Sequence, residues 1–449
     1  MDLVCPLDFR YGRDEMKALW TEEARLRYLL RVEAALAHAH AEAGTVPKAA
    51  AKRLQAVADS GKVTPKRVKE IEAEIKHDLM AVVKAMTEAA GAEDGKHIHL
   101  GATSYDIIDT ANSLQFRDAI ALVRGGLRRV RDALLVQADK HRNTTMLGRT
   151  HGQAAVPITF GLKMAVFASE TGRHLERLAE CEARVAVGMM SGATGSMAAF
   201  RGKGLQVQAA VCKQLGLRPV TASTQIIQRD RYIELFSLLA NIATSLEKFA
   251  TEVRTLQRSE IGEVAEGFDV KKQVGSSTMP HKQNPVTSEQ VSGLARLVRS
   301  MVLPVWENAI QWNERDLANS APERFIHPHA FILLDHILHQ TAKVFEELRV
   351  FPDRMQQNMD RVKGLMMAES VMIALTEKGI GRQEAHEYAR EASMSAIAKD
   401  MHYRDALTKH KHIAKALGKK GITDAVDPSK YTGPVDAIID QVMAETRKL

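Results

Sequence analysis

The eleven residues Gly275-Ser276-Ser277-Thr278-Met279-Pro280-His281-Lys282-Gln283-Asn284-Pro285 put adjacent hydroxyls, an imidazole, an ammonium and a carboxamide into one loop. Gly275 permits backbone angles that other residues avoid, and Pro280 and Pro285 stiffen the segment around His281, Lys282 and Asn284. Preceded by Gly267 and the basic pair Lys271-Lys272, such a loop delivers hydrogen-bond donors and a cation to an anion. The same composition also describes an ordinary surface connection between helices.

Other segments hold chemistry of a related kind. In Gly148-Arg149-Thr150-His151-Gly152-Gln153 a histidine separates two helical stretches. Its imidazole titrates near neutrality and can donate or accept a proton, although a lone histidine is more often structural. In Gly101-Ala102-Thr103-Ser104-Tyr105-Asp106 a helix opens, so Thr103 or Ser104 can cap it, or its free N–H groups and hydroxyls can hold a carboxylate. Lys76-His77-Asp78 falls on a predicted helix, as a reactive group or as a solvated charged face. Between Glu314 and Arg324, Arg315 and Arg324 offer two guanidinium groups that can grip a phosphate or form surface ion pairs. Arg10-Tyr11, near the start, means nothing alone.

Long helices must position these groups. Val220 to Ile261 contains neither Gly nor Pro, and Leu235, Leu239, Ile242, Leu246, Phe249, Val253 and Leu256 recur in it at alternating spacings of four and three, a heptad seam. The spacing predicts a helix on the order of 60 Å long. One protomer can rarely bury so long a stripe unaided, so a bundle continuing into other subunits is expected. Similar patterning over Ser104 to Lys140, Ile158 to Val187, Val286 to Val302 and Pro328 to Leu348 makes five long helices. Segments 148–152, 191–196, 267–285 and 313–328 read as loops. Shorter helices, Glu22 to Gly44 among them, fill the first hundred residues, and no strand-like alternation competes. The expected domains are 1–100, 101–350 and 351–449.

Composition limits the alternatives. The 449 residues are 45 % hydrophobic and 26 % charged, with 13 prolines and few aromatics, the balance of a globular helical protein. No apolar run is long enough for a membrane span, and no signal peptide opens the chain, so a cytoplasmic protein without membrane partners is expected. Cys5, Cys181 and Cys212 lack metal-ligand spacing and read as buried thiols. The net charge of +7 is spread along the chain without a recognition motif, which favours a small anionic substrate over nucleic acid.

Taken together and in order, these motifs resemble the fumarase/aspartase superfamily, whose signature is close to GSSxMPxKxNP. Within it, Arg10-Tyr11-Gly12, Thr103-Ser104, Gly148 to Gly152, Thr224-Gln225, Gln228 to Arg231, Glu314-Arg315-Asp316, Pro322-Glu323-Arg324 and Asp427-Pro428 with Tyr431 and Gly433 are similar to the adenylosuccinate lyase family. The resemblance covers nearly the whole chain. It implies an all-α, three-domain fold whose central bundle assembles into a tetrameric core. It also implies cleavage of an anionic succinyl nucleotide with release of fumarate, active sites built from three subunits, and no metal or organic cofactor.

By the family pattern Ser276 is the general base, His151 the general acid and His77 an assisting group. Lys282, Asn284, Thr103 and Ser104 hold carboxylates. Arg10, Tyr11, Ser320 and Arg324 hold phosphate and ribose, Gln225 meets the succinyl part, and Lys76, Asp78, Ser277 and Arg315 complete the substrate contacts. Tyr105, Ala154, Gln283, Gln290 and Asn313 depart from the commonest pattern and bear on the detailed contacts. The competing expectations are a superfamily relative such as a carboxymuconate cycloisomerase, which has no use for a phosphate grip, and a protein that kept the fold without the activity.

Overall fold

The computed structural model describes residues 4–268 and 277–449; Ser276 lies outside the described residues. The chain divides into two compact units, one of Met1–Leu127, His174–Leu246 and Gly293–His339, the other of Arg128–Arg173, Glu247–Ser292 and Gln340–Leu449.

Four helices dominate the described residues, Ser104–Lys140, Phe160–Val185, Asp230–Leu256 and Ser320–Glu346, and the expected fifth is the shorter Val286–Ser300. The expected helix over 220–261 is shorter than its pattern. Ile226 and Ile227 are buried ahead of it, and the Asp109 carboxylate accepts the backbone N–H of Ile227 at 2.9 Å, holding that stretch out of helical register. The helix therefore starts at Asp230. All seven seam residues are at most 3 % exposed within this single chain, so the seam does not by itself require other subunits. A second correction concerns Pro328, which lies inside a helix beginning at Ser320 rather than opening one. The missing N–H of Pro328 costs one helical bond, and side-chain bonds in the preceding turn, such as Asn319 Nδ2 to Glu323 at 3.0 Å, support the earlier start.

In the first unit, Glu22–Glu42, Lys48–Asp59 and Asp78–Ala90 pack with Ile107, Leu114, Met190, Val207 and Val211 in one buried apolar cluster. An aromatic group stands beside it, with Phe116 edge-on to Tyr232 at 5.1 Å and to His327 at 4.9 Å, and Trp20 stacked on Phe331. In the second unit Phe167 stacks on Phe249 at 4.3 Å. The helices between Ala368 and Ala425 close their own core around Val371, Leu375, Tyr403, Leu407 and Ile413.

Strands occur where none was expected. Thr145–Thr150 pairs with Gln153–Thr159 in an antiparallel hairpin, and two shorter pairs join Val187–Gly188 to Arg218–Pro219 and Val264–Ala265 to Arg349–Val350. Gly148 sits at the hairpin's irregularity, where a Cβ would lie 2.4 Å from the Val156 carbonyl oxygen. That break in the side-chain alternation hides the strand from a pattern reading. The all-α class holds, since the strands among the described residues are these three pairs. No helix among them is long and apolar enough to cross a membrane.

Candidate active site

Lys76, His77 and Asp78 do not share a helix. Lys76 ends Pro65–Ile75 in the left-handed region, with φ of 56°, and His77 caps the next helix, its Nδ1 accepting the Met80 N–H at 3.3 Å. That bond leaves the proton of a neutral imidazole on Nε2. Asp78 accepts the Leu79 N–H at 2.7 Å through Oδ1 and the Arg324 guanidinium at 2.5 Å through Oδ2. Burial raises the Asp78 pKa, but the Leu79 N–H and the charge and hydrogen bond of Arg324 outweigh it and leave the carboxyl below its usual range.

These groups line a cavity of about 970 Å³ in the first unit, together with Ser104, Gln225, Arg315, Ser320 and Arg324. The Arg315 guanidinium lies 3.6 Å from the centre of the Tyr105 ring and donates through Nη1 to Gln225 Oε1 at 2.7 Å. Gln225 in turn donates to the Ala193 carbonyl at 2.8 Å. Eight of the expected residues are thus brought together: Lys76, His77, Asp78, Ser104, Gln225, Arg315, Ser320 and Arg324. Thr103 does not line this cavity; its N–H bonds to Asp106, whose carboxylate also accepts from Ser191 and Gly192. Arg10 and Tyr11 stand outside it as well, Arg10 Nε meeting Tyr11 Oη at 3.3 Å and the Tyr11 ring meeting His336 edge-on.

Arg25 and His327 are among the cavity residues that carry no motif. Arg25 is held below the ordinary guanidinium range by burial and by Arg324. The signal for it was a cation on the helix face that carries Leu26 and Leu29, which line an adjoining smaller cavity with it. His327 is kept well below the usual imidazole range by burial, then by the charges of Arg229 and Arg25, so it is neutral.

Beneath this wall Arg229 is 2 % exposed and forms two ion pairs, to Asp109 at 2.7 Å and to Glu323 at 2.7 Å. Glu323 belongs to the same first helical turn as Ser320 and Arg324. The network ties that turn to the Ser104–Lys140 helix, and both contribute cavity residues.

The second unit carries the other candidates. His151 and Gly152 form the two-residue turn of the Thr145–Thr159 hairpin, with φ of 54° and 73°, the sign required by a type I′ turn. The imidazole is exposed. Behind it Arg149 grips the fully buried Glu263 through Nη1 and Nη2 at 2.9 and 2.7 Å, and Asn358 adds a further donor at 2.8 Å. In the signature loop Ser277 and Lys282 are exposed and Asn284 is half-buried. The loop is tethered through Gln283, which accepts from Arg349 at 2.7 Å through its side chain and from Gln257 at 3.0 Å through its backbone. Glu266 caps the following helix by accepting the N–H groups of Thr287 and Ser288.

The thiols differ from expectation at one position. Cys181 and Cys212 are buried and pushed up to about 12 by burial, while Cys5 is partly exposed, 3.7 Å from His329.

Known proteins share this chain's sequence and fold. A family model described as Lyase matches residues 8–300, and one described as Adenylosuccinate lyase C-terminus matches 364–442. The adenylosuccinate lyase of Pyrococcus abyssi is 47 % identical over 98 % of this chain and 97 % of its own length. That of Methanocaldococcus jannaschii is 45 % identical over 98 % and 95 %. Among solved structures, a fumarate lyase from Mesorhizobium sp. BNC1 is 34 % identical with a TM-score of 0.89, covering 96 % of this chain and 98 % of that one. The 3-carboxy-cis,cis-muconate lactonizing enzyme of Pseudomonas putida is 32 % identical with a TM-score of 0.88, over 98 % and 99 %.

Proposed function

The chain belongs to the adenylosuccinate lyase family and has the all-α fold of the fumarase/aspartase superfamily, and from that premise we propose how its residues work. It is a fumarate-releasing C–N lyase of purine nucleotide biosynthesis, cleaving adenylosuccinate to AMP and fumarate. The same elimination acts on the succinyl-aminoimidazole-carboxamide ribonucleotide. The observation that carries this reading is the 47 % identity to an adenylosuccinate lyase over nearly the full length of both chains, against 32 % to the muconate enzyme. The cations Arg315 and Arg324 on one cavity wall suit an anionic nucleotide.

Elimination requires a base to take the proton beside a carboxylate. The electron pair moves into the aci-carboxylate, the C–N bond breaks, and an acid protonates the departing nitrogen. Ser276 is the base and His151 the acid, with His77 assisting. His151 suits its role because it is exposed on a turn whose strand is fixed by Arg149 and Glu263. Lys282, Asn284, Thr103 and Ser104 stabilise the doubly charged carboxylate. Arg10, Tyr11, Ser320 and Arg324 take phosphate and ribose, Gln225 the succinyl group, and Lys76, Asp78, Ser277 and Arg315 the remaining contacts.

A cytoplasmic homotetramer with sites drawn from several subunits belongs to the same proposal. Support comes from the apolar side chains of Trp306, Ile310, Trp312, Leu317 and Phe325, all at least 55 % exposed in the single chain. The domain division 1–100, 101–350 and 351–449 is supported by the four helices of at least 26 residues, which among the described residues all fall between Ser104 and Glu346. The test is fumarate release from adenylosuccinate by the purified protein, with Ser276→Ala and His151→Ala each lowering kcat by about 10²- to 10⁴-fold. Full activity in either variant removes that residue from its role.

A further inference from the structure

We propose that Tyr105 is a positioning residue, whose ring presets the Arg315 guanidinium for an oxyanion of the substrate. The proposal rests on the reading of function above and adds a residue that the family pattern does not assign.

Tyr105 is 4 % exposed, and two guanidinium groups lie over its ring, Arg229 at 5.9 Å and Arg315 at 3.6 Å from the ring centre. Arg229 is itself fixed by Asp109 and Glu323, so one of the two guanidinium groups over the ring is immobile. Arg315 rests on this platform. Its Nη1 is committed to Gln225. Its Nε is buried with no hydrogen-bond partner, and among the described residues Nη2 makes none either.

The uncommitted Nε and Nη2 form one edge of the guanidinium, two parallel donors at the spacing of a carboxylate or phosphate. A buried N–H without an acceptor is unfavourable, and an incoming oxyanion supplies the acceptor. A free arginine must also lose rotamer freedom to present that edge. Here stacking and the Gln225 bond remove the freedom before the ligand arrives.

The test measures binding of AMP and of fumarate by calorimetry, and KM and kcat with adenylosuccinate, in wild type, Tyr105→Phe, Tyr105→Leu and Arg315→Gln. Tyr105→Leu weakens binding of at least one ligand and raises KM about tenfold, the scale of one desolvated cation–π contact, with kcat changed less than about threefold. Tyr105→Phe keeps the face and stays within about threefold of wild type. In the Arg315→Gln background Tyr105→Leu adds less than about twofold, because the ring then has nothing to position. If the Leu variant does not fold, Tyr105→Met, which fills the space without an aromatic face, carries the same test.

Unchanged binding of both ligands in the Leu variant overturns the proposal, as does a wild type that binds neither. A full tenfold loss persisting without Arg315 does the same. A wild type that binds AMP or fumarate but does not cleave adenylosuccinate instead overturns the reading of function, and the affinity comparison still decides the role of Tyr105.

Discussion

Arg324 and Asp78, 246 positions apart, meet at 2.5 Å and join the first turns of two helices at one cavity wall. The pair makes local sense of Lys76-His77-Asp78. Lys76 breaks the preceding helix, His77 caps the next, and Asp78 anchors the Arg324 guanidinium through Nη2. Arg324→Ala raises KM for adenylosuccinate by about 100-fold or more, since a charge-assisted phosphate contact is lost. Asp78→Asn, which keeps the shape but not the charge, raises it by about three- to tenfold. An unchanged KM in the Arg324 variant argues that the substrate carries no phosphate.

The Asp109–Arg229–Glu323 network is a stability element as well as a scaffold. Truncating Asp109 strips the buried Arg229 of one of its two carboxylates and leaves the buried Ile227 N–H without its acceptor. Asp109→Ala therefore costs about 3–5 kcal/mol of unfolding free energy, read from denaturant titration. A loss below about 1 kcal/mol shows that the network relaxes without it.

Asp335 supplies a pH signature. Its carboxyl is 1 % exposed, with Oδ2 unpartnered and Arg13 3.3 Å from Oδ1. Burial pushes its pKa up to about 6 from the ordinary 3.8, against the attraction of Arg13. A group raised in the folded state contributes most below its unfolded value, so this contribution is present below about pH 4 and is lost as pH rises through about 6. Relative to wild type, Asp335→Asn should gain about 2–3 kcal/mol between pH 4 and pH 7. Parallel stability-versus-pH curves for the two proteins contradict this assignment.

Glu263 positions the hairpin that carries His151. Glu263→Gln replaces two charge-assisted bonds to Arg149 with weaker ones. It lowers kcat for adenylosuccinate by about tenfold while KM moves less than about threefold, because it displaces the proposed acid rather than a proposed binding group. A change confined to KM would place His151 in binding.

Much of this was legible in the sequence, for identifiable reasons. The Ser104–Lys140 helix follows its pattern at both ends, since hydrophobic spacing and local propensity agree there. The pattern over 220–261 overran the real helix because a distant carboxylate, Asp109, holds the backbone at Ile227. The hairpin around His151 is hidden because Gly148 disrupts its alternation and the residues of a type I′ turn are also those of a loop between helices. In the candidate site, the expectations for His77, Gln225, Arg315 and Arg324 follow from motifs and the family pattern, and the structure brings all four to one cavity. Arg25 and His327 carry no motif, and Tyr105 stood out only as a departure. Their importance lies in burial and in which groups they face, which residue order alone does not encode.

The most direct test of the account is the ratio of kcat/KM for adenylosuccinate to that for 3-carboxy-cis,cis-muconate, measured on one preparation of the purified protein. The account predicts a ratio above about 10⁴, because the Arg315 and Arg324 cations of the cavity go unmatched by a substrate lacking phosphate. A ratio near or below one contradicts it and assigns the chain to the cycloisomerase side of the superfamily.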